Sequence, residues 1–503
     1  MMRLANEYRA VVRERAARLR DSGLLREDLF IGGEWVPASD GARLAVTDPA
    51  THEQIAEVAS ATPGDVTRAV ALADEARASW AEMPATARAD MLLAWHDLLR
   101  ANEESLGTLL TLEMGKPLAE ARGEIAYSAA FIRWFAEEAR RAYGEVIPTN
   151  RAGRRLFALR QPVGVVAAIT PWNFPALMIA RKIAPALAAG CSVVMKPASE
   201  TPLSALALAE LAQRAGLPAG LLNVVHGEPA TVGSVLTGDP RVRMLTFTGS
   251  TDVGKLLMTQ CAGTVKRLAL ELGGNAPFIV FDDADLDAAV KGAIDAKFRN
   301  AGQTCVCANR IFVQAGVHDA FVERFAAALT TMTVGHGLDP DAVIGPLIDE
   351  AAVEKVEHHL ADATAHGARI VAGGTRHALG GTFFSPTVVV DASPEMELAQ
   401  AETFGPVAPF FRFETEDEAI ALANATQTGL AAYFFSRDVG RVFRVGERLE
   451  FGVVGVNTGA ISYEGAPFGG VKQSGLGREG AREGLEEFLE VKYLCIDGLQ
   501  AAP

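Results

Sequence analysis

One cysteine stands where a protein could use it as a nucleophile. Cys305 belongs to Gly302-Gln-Thr-Cys305-Val-Cys307, between turn-forming residues and what we interpret as the start of a helix. Amides at a helix N-terminus stabilise a thiolate, so this setting predicts that the pKa of Cys305 is lowered and that its thiolate is reactive. For a single cysteine without further context, a buried structural thiol is the simpler interpretation.

Two other polar residues follow strand-like apolar segments. Glu271, in Leu270-Glu-Leu-Gly-Gly274, stands at a strand end, where partial burial would raise its pKa toward neutrality and suit a general base. Asn173, in Thr170-Pro-Trp-Asn-Phe-Pro175, lies in a turn made rigid by two prolines, and its amide could stabilise an oxyanion. Taken singly, each has a plainer interpretation, as a surface or capping glutamate and as a turn asparagine.

Two further motifs resemble binding signatures but lack the context that these need. Gly475-Leu-Gly-Arg-Glu-Gly480 has the glycine spacing of a dinucleotide fingerprint, but no buried strand precedes it and 23 residues follow it. We interpret it as a glycine-rich loop near the active site. Cys305 and Cys307 have no second cysteine pair to complete a zinc site, and the nine histidines show no ligand spacing, so no metal is expected.

The composition is that of a globular protein with about three domains or fewer. The 503 residues carry a formal net charge of −15, which disfavours a nucleic-acid partner. No apolar run reaches the roughly 18 residues of a membrane span, so no membrane association is expected. The five cysteines are scattered and odd in number, which favours a reducing compartment over a disulfide framework. We therefore predict a cytoplasmic location.

The first 29 residues are predicted to form an N-terminal helical extension. Arginines recur between Arg3 and Arg20, as in some transit peptides, but Glu7 and Glu14 interrupt them and no serine precedes Ser22. This pattern favours an additional surface helix over a transit peptide.

Strand-like runs alternate with helical segments, which predicts two α/β domains that meet near residue 275. The predicted strands are Leu156–Arg160, Val163–Ile169, Cys191–Met195, Leu222–Val225, Met244–Thr248, Phe278–Phe281, Ile311–Val313, Thr387–Val390, Val407–Phe413 and Val453–Val456. The predicted helices are 66–80, 86–112, one from about Ala176, Leu203–Ala215, Leu286–Lys297 and Val317–Met332. A last strand, Leu489–Ile496, has no following helix and could pair with an edge elsewhere, including one on another subunit.

Together, the motifs resemble the aldehyde dehydrogenase superfamily and occur in that family's order. They are the run from Pro162 to Gly227, Phe247-Thr-Gly-Ser-Thr-Asp-Val-Gly254, Glu271-Leu-Gly-Gly, Gly302-Gln-Thr-Cys305, Glu402-Thr-Phe-Gly-Pro406 and Pro467-Phe-Gly-Gly470. Glu271 precedes Cys305 by the 34 positions of the family pattern. The resemblance extends from about residue 30 to the end. It is closest to the succinate-semialdehyde dehydrogenases, above all in Lys297–Arg310.

The resemblance implies an α/β fold with two parallel-sheet domains, one for the cofactor and one for catalysis, plus a small β oligomerisation element. The expected bounds are 30–142 and 162–274 for the cofactor-binding domain, 275–480 for the catalytic domain, and 143–161 with 481–503 for the oligomerisation element. A homodimer or homotetramer is expected.

The resemblance also implies a mechanism. The Cys305 thiolate attacks the aldehyde, while Asn173 and the Cys305 backbone N–H hold the oxyanion. Hydride transfer to the nicotinamide of NADP or NAD leaves a thioester, and Glu271 activates the water that releases the acid. A coenzyme-A-acylating relative is disfavoured because Glu271 is in place to activate water. A non-catalytic protein on the same fold is a more distant alternative.

Similar proteins imply which residues hold the cofactor. Those expected are Trp172, Lys196, Ser199, Gly249, Ser250, Gly254, Glu402 and Phe404, although Trp172 could equally be a core residue. Family members that prefer NAD often have a glutamate where this chain has Ser199. Its absence favours NADP over NAD, and the neighbouring Glu200 argues in the opposite direction.

The implied substrate is succinate semialdehyde, with glutarate semialdehyde, one methylene longer, as the alternative. Arg181 and Arg299 match arginines that bind the substrate carboxylate in similar enzymes, and Ser462 is expected to assist them. Without the resemblance, both would be interpreted as surface arginines in ion pairs. Cys307 could form a reversible disulfide with Cys305 or could be a plain packing residue.

Overall fold

The structure, a computed structural model, describes residues 2–499. Its α-helices are α1 (Met2–Asp21), α2 (Pro63–Glu82), α3 (Ala85–Ala101), α4 (Glu103–Met114), α5 (Leu118–Glu138), α6 (Leu177–Ala189), α7 (Pro202–Arg214), α8 (Pro229–Gly238), α9 (Thr251–Ala262), α10 (Leu286–Phe298), α11 (His318–Leu329), α12 (Glu350–Ala365), α13 (Glu397–Gln400), α14 (Glu416–Asn424), α15 (Val439–Arg448) and α16 (Glu483–Glu486). Short 3₁₀ turns lie at Ala139–Arg141 and Arg299–Gly302.

The strands come in two series along the chain. Those of the first half are β1 (Leu29–Ile31), β2 (Glu34–Val36), β3 (Arg43–Thr47), β4 (Gln54–Ala59), β5 (Glu145–Ile147), β6 (Arg155–Pro162), β7 (Val165–Ile169), β8 (Ser192–Lys196), β9 (Leu222–Val224), β10 (Val242–Thr248) and β11 (Arg267–Glu271). Those of the second half are β12 (Ala276–Val280), β13 (Ala308–Gln314), β14 (Arg369–Ala372), β15 (Thr387–Val390), β16 (Val407–Phe413), β17 (Thr428–Gly429), β18 (Ala431–Phe435), β19 (Val453–Val456), β20 (Val471–Lys472), β21 (Gly475–Leu476) and β22 (Leu489–Ile496).

Two large sheets confirm the predicted α/β fold. The first has the order β2-β1-β9-β8-β7-β10-β11-β21 and is parallel from β9 to β11. The second has the order β14-β15-β16-β13-β12-β18-β19 and is parallel from β15 to β19. Helices cover both faces of a parallel sheet, which is why strands such as β7 and β12 are uniformly apolar and fully buried.

A smaller third sheet has the order β22-β6-β5. Strand β22 has the bounds predicted for the last strand and pairs antiparallel with β6 along its whole length, from Leu489 opposite Pro162 to Ile496 opposite Arg155. Most of β22 is exposed, with apolar side chains at Val491 and Tyr493. The domain bounds given above remain a prediction.

The N-terminal extension is helical over Met2–Asp21, and this helix is packed against the body of the protein. Val12, Ala16 and Leu19 are buried, and the Arg9 guanidinium donates to the Thr51 carbonyl. The ring of Tyr8 stacks on His336 at a centroid distance of 4.3 Å. The helix therefore contributes to the core on one of its faces.

One predicted helix, 86–112, is wrong as a single element. It divides at Asn102 into α3 and α4, because Asn102 has φ −109° and ψ 16° and its side-chain amide donates to the Leu98 carbonyl. An asparagine side chain that bonds to the backbone competes with the helical pattern. Across residues 2–499, no helix is both long and apolar enough to span a lipid bilayer.

Candidate active site

The predicted site residues of the first domain follow neighbouring strands at one edge of the sheet. In the β-register, Ile169 lies opposite Lys196 and Phe247, and Thr248 lies opposite Glu271. Because these strands are parallel, their carboxyl ends meet, as is usual for ligand sites in open α/β sheets. The sheet therefore brings together the segments that follow β7, β8, β10 and β11.

A cleft of about 610 Å³ opens at this edge and is closed from the other side by α12 and by loop residues of the second half of the chain. Most of the predicted cofactor and catalytic residues line it, namely Trp172, Asn173, Lys196, Gly249, Ser250, Cys305, Glu402 and Phe404. The rings of Trp172 and Phe404 meet edge to face at 5.6 Å. The cleft thus joins motifs that are up to about 230 positions apart in the chain.

Cys305 lies in a tight turn that precedes strand β13, so the predicted helix start at this residue is wrong. The turn is fixed by Gly302, which has φ +79° and packs so closely on the Gly405 carbonyl that a Cβ would overlap it. Gly274 packs on the Cys305 carbonyl in the same way. The glycines of three separate motifs therefore set the position of the cysteine.

The predicted lowering of the Cys305 pKa is also wrong. Removal from water, together with the Glu402 carboxyl, raises the pKa of this thiol to about 12, although Arg181 acts in the opposite direction. Cys305 precedes a strand and not a helix, so its own segment does not supply the aligned helix amides that the prediction assumed. A glycine-rich segment can precede a strand as well as a helix, so the sequence could not distinguish these surroundings.

Asn173 lies in the turn between β7 and α6, and its side-chain amide donates to the Gln303 carbonyl at 2.9 Å. An amide NH2 has two donors, so one N–H remains for a ligand in the cleft. Gln303 is itself fixed, since its Oε1 accepts from the Ile348 N–H at 2.9 Å. The turn therefore joins Asn173 to the segment that carries Cys305.

Glu271 is the last residue of β11 and is 5% exposed. Burial raises the pKa of its carboxyl well above the usual value, as predicted, and the nearby Glu479 carboxylate raises it further. Both carboxyl oxygens of Glu271 are buried without a hydrogen-bond partner among the described residues. Strand β21, from the glycine-rich segment 475–480, pairs with β11 at Glu271, so this loop does lie beside the site.

Two carboxyl groups lie close enough to Cys305 to affect its pKa, those of Glu271 at the end of β11 and of Glu402 in the segment before β16. Burial raises the pKa of Glu402 to about 8, and the cations Lys355 and Lys297 oppose this shift. Lys355 also lines the cleft, from α12. Lys355 was not predicted as a site residue, because a lysine on a polar helix face gives no signal of function.

A second cavity of about 570 Å³ is lined by Arg299, Ser462 and Cys307, together with the rings of Tyr127 and Phe174. The Arg299 guanidinium lies 4.8 Å from the Phe174 ring. The cavity also includes Thr304, the neighbour of Cys305. Cys305 therefore stands between the cleft on one side and a cavity with a cation on the other.

Arg181 is not among the described residues that line either space. It is 3% exposed, pairs with Glu479 at 2.8 Å and stacks on Phe468 at 4.0 Å. Lys182 pairs with the same carboxylate at 2.5 Å. A substrate carboxylate, the predicted partner of Arg181, would have to compete with Glu479 for the guanidinium. Glu479 lies too far along the chain for the sequence to reveal this pairing.

Three remaining predicted residues lie in the following places. Ser199 is half-buried after β8 and is outside the set of described residues that line the cleft. Gly254 is buried in the first turn of α9, where a Cβ would come within 2.5 Å of the Leu272 side chain. Cys307 is a free thiol whose Sγ donates to the Lys297 carbonyl at 3.4 Å. A Cys305–Cys307 disulfide remains a prediction.

No group of three potential metal ligands occurs within residues 2–499.

Comparison with curated proteins gives long and similar matches. The chain is 58% identical over 481 residues to a 3-sulfolactaldehyde dehydrogenase of Pseudomonas putida, covering 96% of this chain and 99% of the relative. It is 56% identical over 481 residues to a glutarate-semialdehyde dehydrogenase of Pseudomonas aeruginosa, with 96% and 100% covered. It is 57% identical over 479 residues to a succinate-semialdehyde dehydrogenase (NADP(+)) of Escherichia coli, with 95% and 99% covered.

Solved structures agree with these matches. A succinate-semialdehyde dehydrogenase from Burkholderia pseudomallei superposes with a TM-score of 0.94 at 57% identity, covering 95% of this chain and 99% of the other. A betaine aldehyde dehydrogenase from Staphylococcus aureus in complex with NAD+ superposes with a TM-score of 0.94 at 37% identity, with 97% and 98% covered. The profile of the Aldehyde dehydrogenase family matches residues 35–494. This chain therefore belongs to the aldehyde dehydrogenase family.

Proposed function

We propose that this protein oxidises succinate semialdehyde to succinate with NADP or NAD, through a thioester on Cys305. The observation that carries the substrate assignment is the position of Arg299. Its guanidinium lines the cavity on the far side of Cys305 from the cleft, inside a protein of net charge −15. A planar guanidinium binds a carboxylate with two hydrogen bonds, and Ser462 supplies a hydroxyl to the same cavity.

The cleft fits a nicotinamide dinucleotide. Ser250 caps α9 by accepting from the Val253 N–H, so the amides of this helix N-terminus face the end of the cleft where a pyrophosphate would bind. Thr170 and Thr248 line the cleft with buried hydroxyls that lack a partner among the described residues. Lys196 would hold the ribose next to adenine, and Glu402 the ribose next to nicotinamide. When bound, the nicotinamide supplies the hydride acceptor.

The chain's own residues account for the other steps. The Cys305 thiol releases its proton to solvent and its sulfur forms a bond to the aldehyde carbon, while the free N–H of Asn173 and the Cys305 backbone N–H stabilise the oxygen that becomes negative. Glu271 later takes a proton from the water that attacks the thioester, which releases the acid and restores the thiolate. Burial raises the pKa of Glu271 well above its usual value, so its carboxylate is a stronger base than one in water.

The names of the relatives leave the substrate open among three anionic aldehydes. Glutarate semialdehyde is one methylene longer than succinate semialdehyde, a difference worth only about 1–3 kcal/mol in a pocket. A sulfonate, as in 3-sulfolactaldehyde, also accepts hydrogen bonds from a guanidinium. These alternatives share the requirement for a cation beyond Cys305.

The test is a panel of kcat/KM values for these three aldehydes and for butanal, each with NADP and with NAD. We expect the highest value with succinate semialdehyde and NADP, and a much lower one with butanal. A higher value with glutarate semialdehyde or 3-sulfolactaldehyde would reassign the substrate. Equal values for butanal and the anionic aldehydes would remove the basis of the proposal.

We also propose a homodimer or homotetramer in the cytoplasm. The exposed apolar side chains of the third sheet support self-association, because β22 leaves Val491 and Tyr493 at 58% and 60% exposure. The five cysteines, odd in number and scattered along the chain, support a reducing compartment.

A further inference from the structure

A lysine that is not among the described residues lining the cleft holds the main chain of Asn173. Lys116 follows α4 and is 1% exposed. Its ammonium donates to the Asn173 carbonyl at 2.8 Å and to Glu124 Oε2 at 2.6 Å, and it lies 3.7 Å from the centre of the Phe174 ring. Lys116 is not among the residues attributed a role above.

The partner carboxylate, Glu124 on α5, has both oxygens engaged. Oε2 accepts from Lys116, and Oε1 accepts from the Ala176 and Leu177 N–H groups at 2.9 and 3.1 Å. These are the first amides of α6, whose own N-cap, Ala176, offers no side chain to bind them. Glu124 lines the edge of the second cavity, but neither of its oxygens is free for a ligand there.

An ion pair this deep is costly for stability. Both side chains are fully buried, and taking two charges out of water often costs more than their attraction returns. Burial indeed lowers the pKa of Lys116, against the opposing effect of Glu124. An apolar pair of similar volume would stabilise the fold equally well. We therefore interpret the Lys116–Glu124 pair by its hydrogen bonds, which fix the positions of the groups they contact.

These contacts fix the segment from Asn173 to Leu177 at several points. The Asn173 carbonyl accepts a second bond from the Asn300 side chain at 3.0 Å, and the Asn173 side-chain amide donates to Gln303 at 2.9 Å. Rotation of the Asn173 peptide would break the bonds to Lys116 and Asn300 together. The direction of the remaining amide N–H is therefore set by the Lys116–Glu124 pair as well as by the cysteine segment.

We propose that Lys116 and Glu124 are positioning residues for the oxyanion donor: Lys116 holds the Asn173 carbonyl, and Glu124 holds both Lys116 and the start of α6. The inference rests on the proposed role of Asn173. It extends the functional site to the turn after α4 and to α5, segments that supply none of the described residues that line the cleft.

The test compares single-turnover rates of NADPH formation, which report acylation. The variant K116M/E124Q removes the charges together and keeps an oxygen for the α6 amides, so that no unpaired buried charge is left. We expect it to lower the single-turnover rate about 10- to 100-fold, as a small misplacement of a catalytic group does, with little change in KM. In an N173A background the same two substitutions should cost less than about 2-fold, because their effect passes through Asn173.

A matched control is Lys266→Met. Lys266 is also a buried lysine that donates to two carbonyls, of Asp239 and Val242, but it lies at the opposite edge of the first sheet. K266M should lower the melting temperature and leave the single-turnover rate unchanged. If K116M/E124Q does not fold, E124D, which keeps the charge of the pair and shortens the side chain by one methylene, should fold by its melting curve and give a smaller loss of about 5-fold.

Three results would overturn the inference. A full single-turnover rate in K116M/E124Q would mean that Asn173 needs no such support. An equal loss with and without N173A would mean that the pair acts on the fold and not through Asn173. If N173A itself keeps its rate, the proposed oxyanion role fails, and the positioning role fails with it. This last result is distinguishable from the other two because it is measured in N173A alone, without the substitutions at Lys116 and Glu124.

Discussion

At the scale of single residues, Cys305 and Glu271 divide the reaction into two halves with different pH dependence. C305A should abolish oxidation and leave NADPH binding near normal. E271Q should keep the first turnover and slow the second half, which gives a burst of NADPH followed by slow turnover. Retention of more than a few percent of turnover in C305A would move the nucleophile elsewhere, with Cys307 the first candidate.

The sign of the pH effect follows from the raised pKa of Glu271. Only the carboxylate accepts a proton from water, and its fraction grows as pH rises through a pKa that burial has moved upward. The rate of deacylation should therefore increase toward alkaline pH, and this increase should disappear in E271Q. A deacylation rate that falls between pH 6 and 9 would contradict the assignment of Glu271 as the base.

The two arginines should differ in the substrates they affect. R299A should lower kcat/KM for succinate semialdehyde about 30- to 1,000-fold, the effect of losing a charge-assisted contact of about 2–4 kcal/mol, and hardly change that for butanal. R181A should lower kcat/KM for both substrates, because Glu479, which lies near Glu271, then loses one of the cations that pair with it. If R299A weakens both substrates equally, Arg299 supports the fold, and the carboxylate site must be sought elsewhere.

At the scale of helices and strands, deletion of α1 is expected to lower the stability of the protein without changing its activity. Deleting residues 2–21 removes the stack of Tyr8 on His336 and exposes the surface covered by Val12 and Leu19. Losing two buried aliphatic side chains costs about 3–6 kcal/mol, so the melting temperature should fall by several degrees. Because α1 supplies none of the described residues that line the cleft or the cavity, KM values should not change. A large rise in KM would show that α1 acts on the site.

The strands of the parallel sheets could be predicted because burial on both faces leaves uniformly apolar runs. The first strand of the second sheet, β12, was placed within two residues at each end. The antiparallel edges, such as β1, β2 and β14, were not predicted, since each has only three or four residues and β2 and β14 alternate little in burial. The break at Asn102 was missed because the apolar spacing continues across it.

The site was predictable as a set of motifs, but its contacts were not. The resemblance named Cys305, Asn173 and Glu402, and the structure brings them to one cleft. What the chain alone could not reveal is pairing across long separations, such as Glu479 with Arg181 or Lys116 with Asn173. Such partners are brought together by tertiary packing, which no local pattern records.

At the scale of the whole molecule, the third sheet carries the proposed assembly. V491D/Y493D places two charges on its exposed face and should lower the mass measured by light scattering after size exclusion. Leu44→Asp, on the separate hairpin β3–β4, is a control that adds a charge at another exposed apolar residue and should keep the oligomer. An unchanged mass in V491D/Y493D would place the subunit contact on another surface.

The last strand of the first sheet, β21, comes from residues 475–476, whereas its neighbour β11 ends at residue 271. On the ribosome, about 200 residues must be made between the two, and the second sheet can form meanwhile. Until then Glu271 lacks both its edge strand and Glu479. The chain therefore closes its first domain last, and translation products that stop before residue 475 should bind nascent-chain chaperones and show no oxidation.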